Sequence, residues 1–297
     1  MISVIIPCYN CAKFVSRAVE SVLGQNYSEW ELILVNNNSS DNTLSLLNEF
    51  KAQYPGKIQV FDEKTKGAPA ARNKGLSKAK GEWVQFLDAD DEILPSKFFH
   101  QVGLLRKNAV DILVGSAKVN GREIGKITKS KRSVRPIDPW IALISSNMGI
   151  TSANLFKRKA LNEVDGWDQT LTSSQEYDLM YRMLKSGATV MYDTEELTVI
   201  NVDGQGISRG GDVKRRIEIV SNRIDLRLKI KEYLKEQNRL TRIVESHIDR
   251  YIYASLKNEE SVIPMYVRPR LRELKLRVPF YFKLLKGLQK RIEKFKS

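Results

Sequence analysis

The chain has 297 residues, of which 42% are hydrophobic and 28% are charged. This composition is typical of a globular protein with one large domain or two modest ones, and it excludes a disordered chain. The formal net charge of +14 predicts an anionic partner, which would be a nucleotide, a nucleic acid or a membrane surface. Because the sequence contains no run of about 18 apolar residues, we expect no membrane span.

The N-terminus and the cysteines bear on location and metal content. Residues 1–7 lack the basic lead-in and cleavage site of a signal peptide, so we expect a cytoplasmic protein. Cys8 and Cys11 form a single CxxC pair, and the two histidines, His100 and His247, lie far from it in sequence. A zinc site needs four ligands, so we interpret both cysteines as ordinary thiols at the end of a strand.

The first 115 residues alternate between strand and helix patterns. Apolar runs predict five buried strands, at residues 3–7, 31–35, 58–61, 83–87 and 111–115. Amphipathic patterns between these runs predict helices. Repeated strand–helix alternation predicts an α/β fold with a parallel sheet covered on both faces. Such sheets bind ligands at the carboxyl ends of their strands.

Polar residues follow three of these strands. Asn10, residues 36–38 and residues 88–91 should therefore converge on one crevice. If the chain stays extended after residue 87, Asp88 and Asp90 project to one side and Asp91 faces away. Two carboxylates aimed at one point suit a hard divalent ion such as Mg²⁺ or Mn²⁺. The alternative is a solvated turn or a helix cap ahead of Pro95.

The pattern lapses at residues 120–139, where basic residues are frequent, and we predict a long loop, either a lid or a disordered segment. Residues 203–211 are rich in glycine and predict a linker. Helical spacing dominates from residue 212 onward. We therefore predict a catalytic domain at residues 1–205 and a helical C-terminal region at 206–297. Its helices would pack on the catalytic domain or on a second copy of the chain, forming a homo-oligomer.

Residues 268–297 contain eleven basic residues against two acidic ones, which gives a net charge of +9. Aromatic and aliphatic residues are interleaved with these charges. A basic helix with an apolar face predicts binding to an anionic membrane surface. The alternative is a solvated helix whose apolar side packs on the protein.

Four segments together resemble family 2 of the glycosyltransferases, at residues 3–10, 31–41, 71–82 and 166–182. That family is inverting and has the GT-A nucleotide-diphospho-sugar transferase fold, a Rossmann-like and mostly parallel sheet. The order and spacing of the four segments match the family over residues 1–200. The resemblance therefore implies a nucleotide-diphospho-sugar donor and a metal cofactor, Mn²⁺ or Mg²⁺.

The resemblance also implies roles for individual residues. Those predicted to bind substrate are Pro7, Tyr9, Asn10, Asn37, Arg72, Asp88 and Asp178. Within this set, Pro7 and Tyr9 would line the base pocket and Asp88 would meet the ribose. Asp90 would bind the metal. Glu176 takes the position of the general base, which must accept a proton from the attacking hydroxyl, whereas Asp178 would cap the helix or bind the acceptor.

Two departures from the family pattern affect specificity. Asn36 and Asn37 stand where the family usually has two aspartates. An amide both donates and accepts hydrogen bonds, so Asn37 could still bind uracil but other bases stay open. Arg182 is followed by Met183 and not by the tryptophan of processive polymer synthases, so we predict transfer of one sugar per encounter.

We therefore expect a metal-dependent inverting glycosyltransferase on the inner membrane face, adding one sugar to a cell-envelope glycan or lipid-linked acceptor. One alternative is a nucleic-acid-binding protein, based on the net charge. Its basic residues concentrate in the tail and one loop, however, so we expect no nucleic-acid partner. Another alternative is a nucleotidyltransferase, but residues 8–13 lack the glycine-rich phosphate loop that it would need.

Overall fold

The structure is a computed structural model that describes residues 1–123, 126–202, 212–280 and 282–283. The chain divides into two compact units. The first comprises Met1–Pro139, Asn147–Leu171 and Gln175–Gly206, and the second comprises Trp140–Ser146, Thr172–Ser174 and Ile207–Ser297. The domain boundary at residues 205 and 206 stays a prediction.

The strands are β1 (Ile2–Cys8), β2 (Trp30–Asn36), β3 (Ile58–Asp62), β4 (Trp83–Phe86), β5 (Glu92–Ile93), β6 (Ile112–Glu123), β7 (Lys126–Arg132), β8 (Leu155–Lys157) and β9 (Val190–Val202). The helices are α1 (Val15–Leu23), α2 (Thr43–Gln53), α3 (Ala68–Leu76), α4 (Lys97–Leu105), α5 (Pro139–Ile144), α6 (Arg158–Asn162), α7 (Gln175–Lys185), α8 (Val213–Glu236), α9 (Arg242–Glu259) and α10 (Pro264–Glu273). A short 3₁₀ turn, Thr151–Ala153, precedes β8.

In the described residues, nine strands form one sheet in the order β3-β2-β1-β4-β8-β6-β9-β5, with β7 paired to β6. Strands β1 to β4 are parallel, and β8 joins them to β6 by antiparallel pairing. The register places Cys8 opposite Asn36 and Ile5 opposite Phe86. The carboxyl ends of β1, β2 and β4 therefore meet at one edge. The predicted α/β fold with a mostly parallel sheet is confirmed.

Helices cover both faces of the parallel strands, which explains their continuous apolar runs. All seven residues of β2 are buried. Helix α1 presents a buried stripe of Val15, Ala18, Val19 and Val22 to the core. Helix α3 approaches β1 so closely that a Cβ on Gly75 would lie 2.3 Å from Cγ2 of Ile5, so this position requires glycine.

The predicted loop at residues 120–139 is wrong over much of its length. Strand β6 continues to Glu123, and β7 pairs with it in antiparallel register, from Ala117 opposite Arg132 to Glu123 opposite Lys126. Basic side chains on β7 suit a strand that pairs with β6 alone among the described strands, because charge at a sheet edge opposes further pairing. Frequent basic residues are also typical of loops, which is why the sequence pattern predicts a loop here.

The second unit contains the predicted C-terminal helices. Helix α8 begins at a cap in which the Asp212 side chain accepts a hydrogen bond from the Arg215 backbone N–H, and Thr241 caps α9 in the same way. Among the described helices, none has both the length and the apolar character that crossing a bilayer requires. The predicted linker at 203–211 lies outside the described residues, as do residues 281 and 284–297 of the predicted membrane helix.

Candidate active site

The first part of the candidate site is the end of β1. The backbone N–H of Asn37 donates to the carbonyl of Cys8, 2.7 Å away, which joins the ends of β1 and β2. Asn10 has a left-handed backbone, with φ at 45°, and its side-chain oxygen accepts from the backbone N–H of Ser40 at 2.8 Å. Tyr9 is 59% exposed and Pro7 is half-buried. Contact of these residues with a nucleotide stays a prediction.

The side chain of Asn37 is committed to backbone groups. Its Nδ2 donates to the carbonyls of Glu63 and Thr65, at 2.9 and 2.7 Å, and its Oδ1 accepts from the N–H of Gly67 at 2.8 Å. A carboxylate here would face two carbonyl oxygens without a proton to donate. This network explains why an amide suits the position where the family usually has an acid. Oδ1 accepts this one hydrogen bond, although an amide oxygen has two lone pairs.

After β4 the chain turns instead of staying extended, because the N–H of Asp91 donates to the carbonyl of Asp88 at 3.0 Å. The predicted extended backbone after residue 87 is therefore wrong, although Asp91 does face the protein interior while Asp90 faces solvent. Asp91 is 4% exposed and accepts a hydrogen bond from Oγ of Ser152 at 2.6 Å, whereas Asp90 is exposed. Burial, followed by the charges of Asp88 and Asp90, raises the pKa of Asp91 to about 8.

Arg72 contacts Asp88 directly. Its Nη2 lies 2.7 Å from Oδ1 of Asp88, and its guanidinium carbon lies 4.5 Å from the centre of the Trp167 ring. The side chain of Asn73 binds the backbone of Trp167. It accepts from the backbone N–H and donates to the backbone carbonyl, both at 2.8 Å. Arg72 is thus fixed beside the carboxylates, although its predicted contact with the nucleotide stays a prediction.

Glu176 lies in the first turn of α7 and is half-buried. Nδ2 of Asn154 donates to Oε1 of Glu176 at 3.3 Å. Burial, followed by the charge of Asp88, raises the pKa of Glu176 to about 8, while the charge of Arg72 opposes this shift. The fold therefore brings Glu176, Asp88 and Arg72 within electrostatic reach of one another.

Asp178 differs from Glu176 although both lie on α7. Its Oδ2 accepts from Nε of Arg182 at 2.8 Å, one helical turn away, and the residue is 8% exposed. Arg182 also donates to the carbonyl of Val164. The carboxylate of Asp178 therefore already has a cationic partner, which favours a structural role over proton transfer.

A metal at this site would have few protein ligands. Across the described ranges, no group of three or more histidine, cysteine, aspartate or glutamate residues is arranged to hold an ion. Mn²⁺ and Mg²⁺ can instead bind through one or two carboxylates together with substrate phosphates. The exposed carboxylate of Asp90 fits such an ion, since the neighbouring carboxylate of Asp88 adds negative charge that a cation would balance.

Two residues of the site carried no signal that we could interpret in the sequence. Ser152 contacts the 88–91 turn and Asn154 contacts Glu176, yet they are separated from those partners by 61 and 22 positions. Their residue types are common in turns. The contacts follow from the tertiary fold alone.

Comparison with known proteins decides the family. The sequence model described as glycosyl transferase family 2 matches residues 3–166, which is more than half of the chain. The chain belongs to glycosyl transferase family 2. The match covers β1 to β8 and the carboxylates that follow β4, but it ends before α7 and Glu176.

Among the relatives of this family 2 chain is the Escherichia coli UDP-Glc:α-D-GlcNAc-diphosphoundecaprenol β-1,3-glucosyltransferase WfgD. It is 33% identical over 135 residues, covering 44% of this chain and 52% of WfgD. The chain spans less than a third of the length of three curated relatives, from Rickettsia bellii, Rickettsia felis and Rickettsia conorii, which are named uncharacterized glycosyltransferases.

Solved structures support the fold. S. aureus TarS in complex with UDP-GlcNAc has a TM-score of 0.65 and 18% identity, covering 88% of this chain and 73% of the TarS chain. The mannosyltransferase PcManGT from Pyrobaculum calidifontis, in complex with GDP-Man and Mn²⁺, has a TM-score of 0.60 and 16% identity, covering 97% and 84%. The family 2 chain therefore has the GT-A fold.

Proposed function

We propose that this chain is an inverting glycosyltransferase that moves one sugar from a nucleotide-diphosphate donor to a hydroxyl group. The acceptor would be a cell-envelope glycan or a lipid-linked glycan. The observation that carries the proposal is the grouping of Asp88 and Arg72 near the half-buried carboxyl group of Glu176, in a chain of this family. Such a carboxyl group can accept a proton from an attacking hydroxyl.

The chemistry divides between two sides of the site. Glu176 would act as general base, taking the proton of the acceptor hydroxyl as the new glycosidic bond forms and the bond to the diphosphate breaks. A single displacement with the base opposite the leaving group inverts the anomeric centre. A divalent ion, held by Asp90, would stabilise the charge on the leaving diphosphate.

Arg72 supplies fixed positive charge to the donor side of the site. It is 7% exposed, it pairs with Asp88, and its Nε has no partner among the described residues. A buried cation beside the carboxylates suits binding of a nucleoside diphosphate, because it lowers the repulsion between the carboxylates and the phosphates. Tyr9, exposed at the end of β1, would stack against the base.

Relatives favour UDP-sugars as donors and lipid-linked glycans as acceptors. The name of WfgD specifies UDP-Glc and a diphosphoundecaprenol-linked acceptor, and TarS was solved with UDP-GlcNAc. The remaining lone pair on Oδ1 of Asn37 agrees with this donor, because it can accept the ring N–H of uracil. Other bases stay open, since PcManGT was solved with GDP-Man.

A direct test is a panel of UDP-, GDP- and dTDP-sugars with Mn²⁺ or Mg²⁺, scored by donor hydrolysis and by the rise in melting temperature. Asp90→Asn should abolish the metal-dependent stabilisation by UDP, with the fold intact. Asp225→Asn removes a carboxylate of the second unit and should behave as the parent. If no nucleotide-sugar stabilises the parent, the proposal is wrong.

We also propose that the basic tail, residues 268–297, binds an anionic membrane surface. Its described part has exposed basic side chains at Arg272, Lys275 and Lys283, and an exposed apolar side chain at Phe280, which is 80% exposed. Interleaved cations and apolar groups suit a surface of anionic lipids. The enzyme would then act at the membrane on its cytoplasmic side, while association of its helices with a second copy stays a prediction.

The membrane proposal can be tested by cosedimentation with vesicles of phosphatidylglycerol or of phosphatidylcholine. Changing Arg272, Lys275 and Lys283 to Gln, with Phe280→Ser, should weaken binding to the anionic vesicles at least about tenfold, since each basic residue contributes about 1 kcal/mol. The matched control makes the same kinds of substitution at exposed residues of the first unit: Lys51, Lys107 and Lys159 are changed to Gln, and Phe99 is changed to Ser. Equal loss in both variants would contradict a docking surface.

A further inference from the structure

The 3₁₀ turn Thr151–Ala153 and the residue after it, Asn154, are almost completely buried although they carry three polar side chains. Thr151 is 8% exposed, Ser152 is 1% exposed, and Asn154 is fully buried. Polar groups that are buried to this degree have hydrogen-bond partners in nearly all native structures. Their partners include the turn at residues 88–91, on the side of the site that would bind the sugar donor, and Glu176, on the side that would bind the acceptor.

Ser152 holds the turn that carries the donor-side carboxylates. Its Oγ donates to Oδ2 of Asp91 at 2.6 Å and accepts from the backbone N–H of Asp88 at 3.1 Å. One hydroxyl group therefore joins both ends of the 88–91 turn. The exposed Asp90 lies between these two fixed points.

Asn154 holds the acceptor-side carboxylate. Its Nδ2 donates to Oε1 of Glu176 at 3.3 Å and to the carbonyl of Met148 at 3.0 Å, and its Oδ1 accepts from the N–H of Gly115 at 3.0 Å. The side chain of Thr151 acts on the same carboxyl group and opposes the rise in its pKa. Asn154 is thus fixed by two backbone groups while its remaining N–H is directed at Glu176.

The backbone of the turn is itself anchored. The carbonyl of Ser152 accepts from Nε2 of Gln85 at 3.0 Å and from Oγ1 of Thr198 at 3.3 Å. The carbonyl of Ala153 accepts from Nζ of the buried Lys97 at 2.8 Å. Strands β4 and β9 and helix α4 therefore hold the turn in place. A shift of the turn would disturb both carboxylate groups together.

We propose that Ser152 and Asn154 are positioning residues, and that this one turn sets the donor-side carboxylates through Ser152 and the general base through Asn154. The inference rests on the proposed function. Because each residue contacts a different group, the two should affect different measured quantities. Removing the Ser152 hydroxyl should weaken binding of the nucleotide-sugar donor, whereas a change at Asn154 should alter turnover and its pH dependence.

The first test measures UDP binding in the presence of Mn²⁺ by calorimetry. Ser152→Ala should raise the UDP dissociation constant about tenfold, the size of effect expected from losing a buried hydrogen bond. Ser152→Thr keeps the hydroxyl and should restore most of the affinity. The matched control is Ser116→Ala, which removes another buried hydroxyl of the first unit, one that bonds backbone groups of Val134 and Asp193.

The second test uses Asn154→Asp. Aspartate keeps the shape of the side chain and the oxygen that accepts from the N–H of Gly115, but it replaces the NH₂ group that faces Glu176 with a carboxyl oxygen. The charged groups that act on Glu176 are Asp88, Arg72 and Arg132. Adding a carboxylate to this set raises the pKa of Glu176, so the acid limb of turnover should move to higher pH by about one unit. The UDP dissociation constant should change less than twofold. Asn154→Ala removes the N–H that Glu176 accepts but adds no charge, so it should lower turnover with a smaller pH shift in the same direction.

The outcomes separate the inference from the proposed function. If the parent neither binds UDP with Mn²⁺ nor turns over a nucleotide-sugar, the proposed function fails. If the parent does both and Ser152→Ala matches Ser116→Ala in UDP affinity, the role of Ser152 is wrong. If Asn154→Asp keeps the turnover and pH profile of the parent at an unchanged melting temperature, the role of Asn154 is wrong.

Discussion

Buried charges are handled differently in the candidate site and in the second unit. In the second unit, the fully buried Arg227 donates to the carbonyls of Leu143 and Ile144 and to Oγ of Ser146, and its guanidinium lies 3.9 Å from the Tyr251 ring centre. In the candidate site, the half-buried Glu176 and the buried Asp91 lie near further carboxylates, and the pKa of each is raised to about 8.

This contrast separates buried charges that have partners within the protein from carboxylates that lie close to one another. Asp249 of the second unit accepts from Nζ of Lys231 at 3.0 Å and from the N–H of Arg277 at 2.8 Å, so its charge is matched inside the protein. Carboxylates of like sign grouped in one place raise one another's pKa values and destabilise the fold unless a cation or substrate completes the site. Structural charges are thus matched in the folded chain itself.

The largest expected effect is on turnover in Glu176→Gln. Glutamine keeps the shape and can still accept the bond from Asn154 but cannot take a proton. Turnover should therefore fall roughly 10²–10⁴-fold while the UDP dissociation constant in the presence of Mn²⁺ changes little. Steady-state kinetics and calorimetry on the same preparation measure both quantities. Retention of most activity would mean that Glu176 is not the base.

The second expected effect concerns stability. Arg227→Met removes the donors for buried carbonyls of the second unit, so the free energy of unfolding should fall by about 3 kcal/mol. Denaturant titration measures this change. Arg239→Met removes a guanidinium that lies 5.9 Å from the Trp140 ring and should have a much smaller effect. Equal losses in the two variants would contradict the special role of the buried Arg227.

A third effect links Glu176 to stability through pH. The carboxyl group has a pKa of about 8 in the folded chain and an ordinary pKa of 4.5, so between these pH values the folded chain holds a proton that the unfolded chain has lost. The contribution of Glu176 is full below pH 4.5 and is lost as the pH rises through 8. Glu176→Gln does not lose stability in this way. Its free energy of unfolding should therefore exceed that of the parent by about 1–2 kcal/mol at pH 8.

The pH effect has a matched control. Glu163→Gln changes a side chain that is 52% exposed and should show no such trend with pH. Thermal unfolding from pH 5 to 8.5 measures all three proteins. If the difference between Glu176→Gln and the parent stays constant with pH, the carboxyl group of Glu176 does not have a raised pKa.

The smallest expected effect is on turnover in Asp178→Asn. Its carboxylate is already paired with Arg182, so the substitution should lower turnover less than about tenfold, well below the loss in Glu176→Gln. Kinetics of both variants under one set of conditions decide the matter. If Asp178→Asn is inactive while Glu176→Gln is active, the base lies two residues later on α7.

Much of the fold could be predicted from local sequence, because apolar periodicity reflects which side of an element is buried. Residues 3–7 and 31–35 correspond to β1 and β2, and the helix predicted around Glu176 corresponds to α7. The hairpin of β6 and β7 was missed, because a strand at a sheet edge tolerates the charged residues that are also typical of loops.

The residue types of the candidate site were determined by the sequence itself. The carboxylates after β4, the asparagines after β2 and Glu176 on α7 follow from the order of the chain and from the meeting of parallel strand ends at one edge. What the tertiary structure alone decided is the state of these groups. Asp91 points inward to Ser152, the amide of Asn37 binds backbone carbonyls, and the pKa of Glu176 rises to about 8. Hydrogen-bond partners and electric fields come from residues distant in sequence, so local pattern does not contain them.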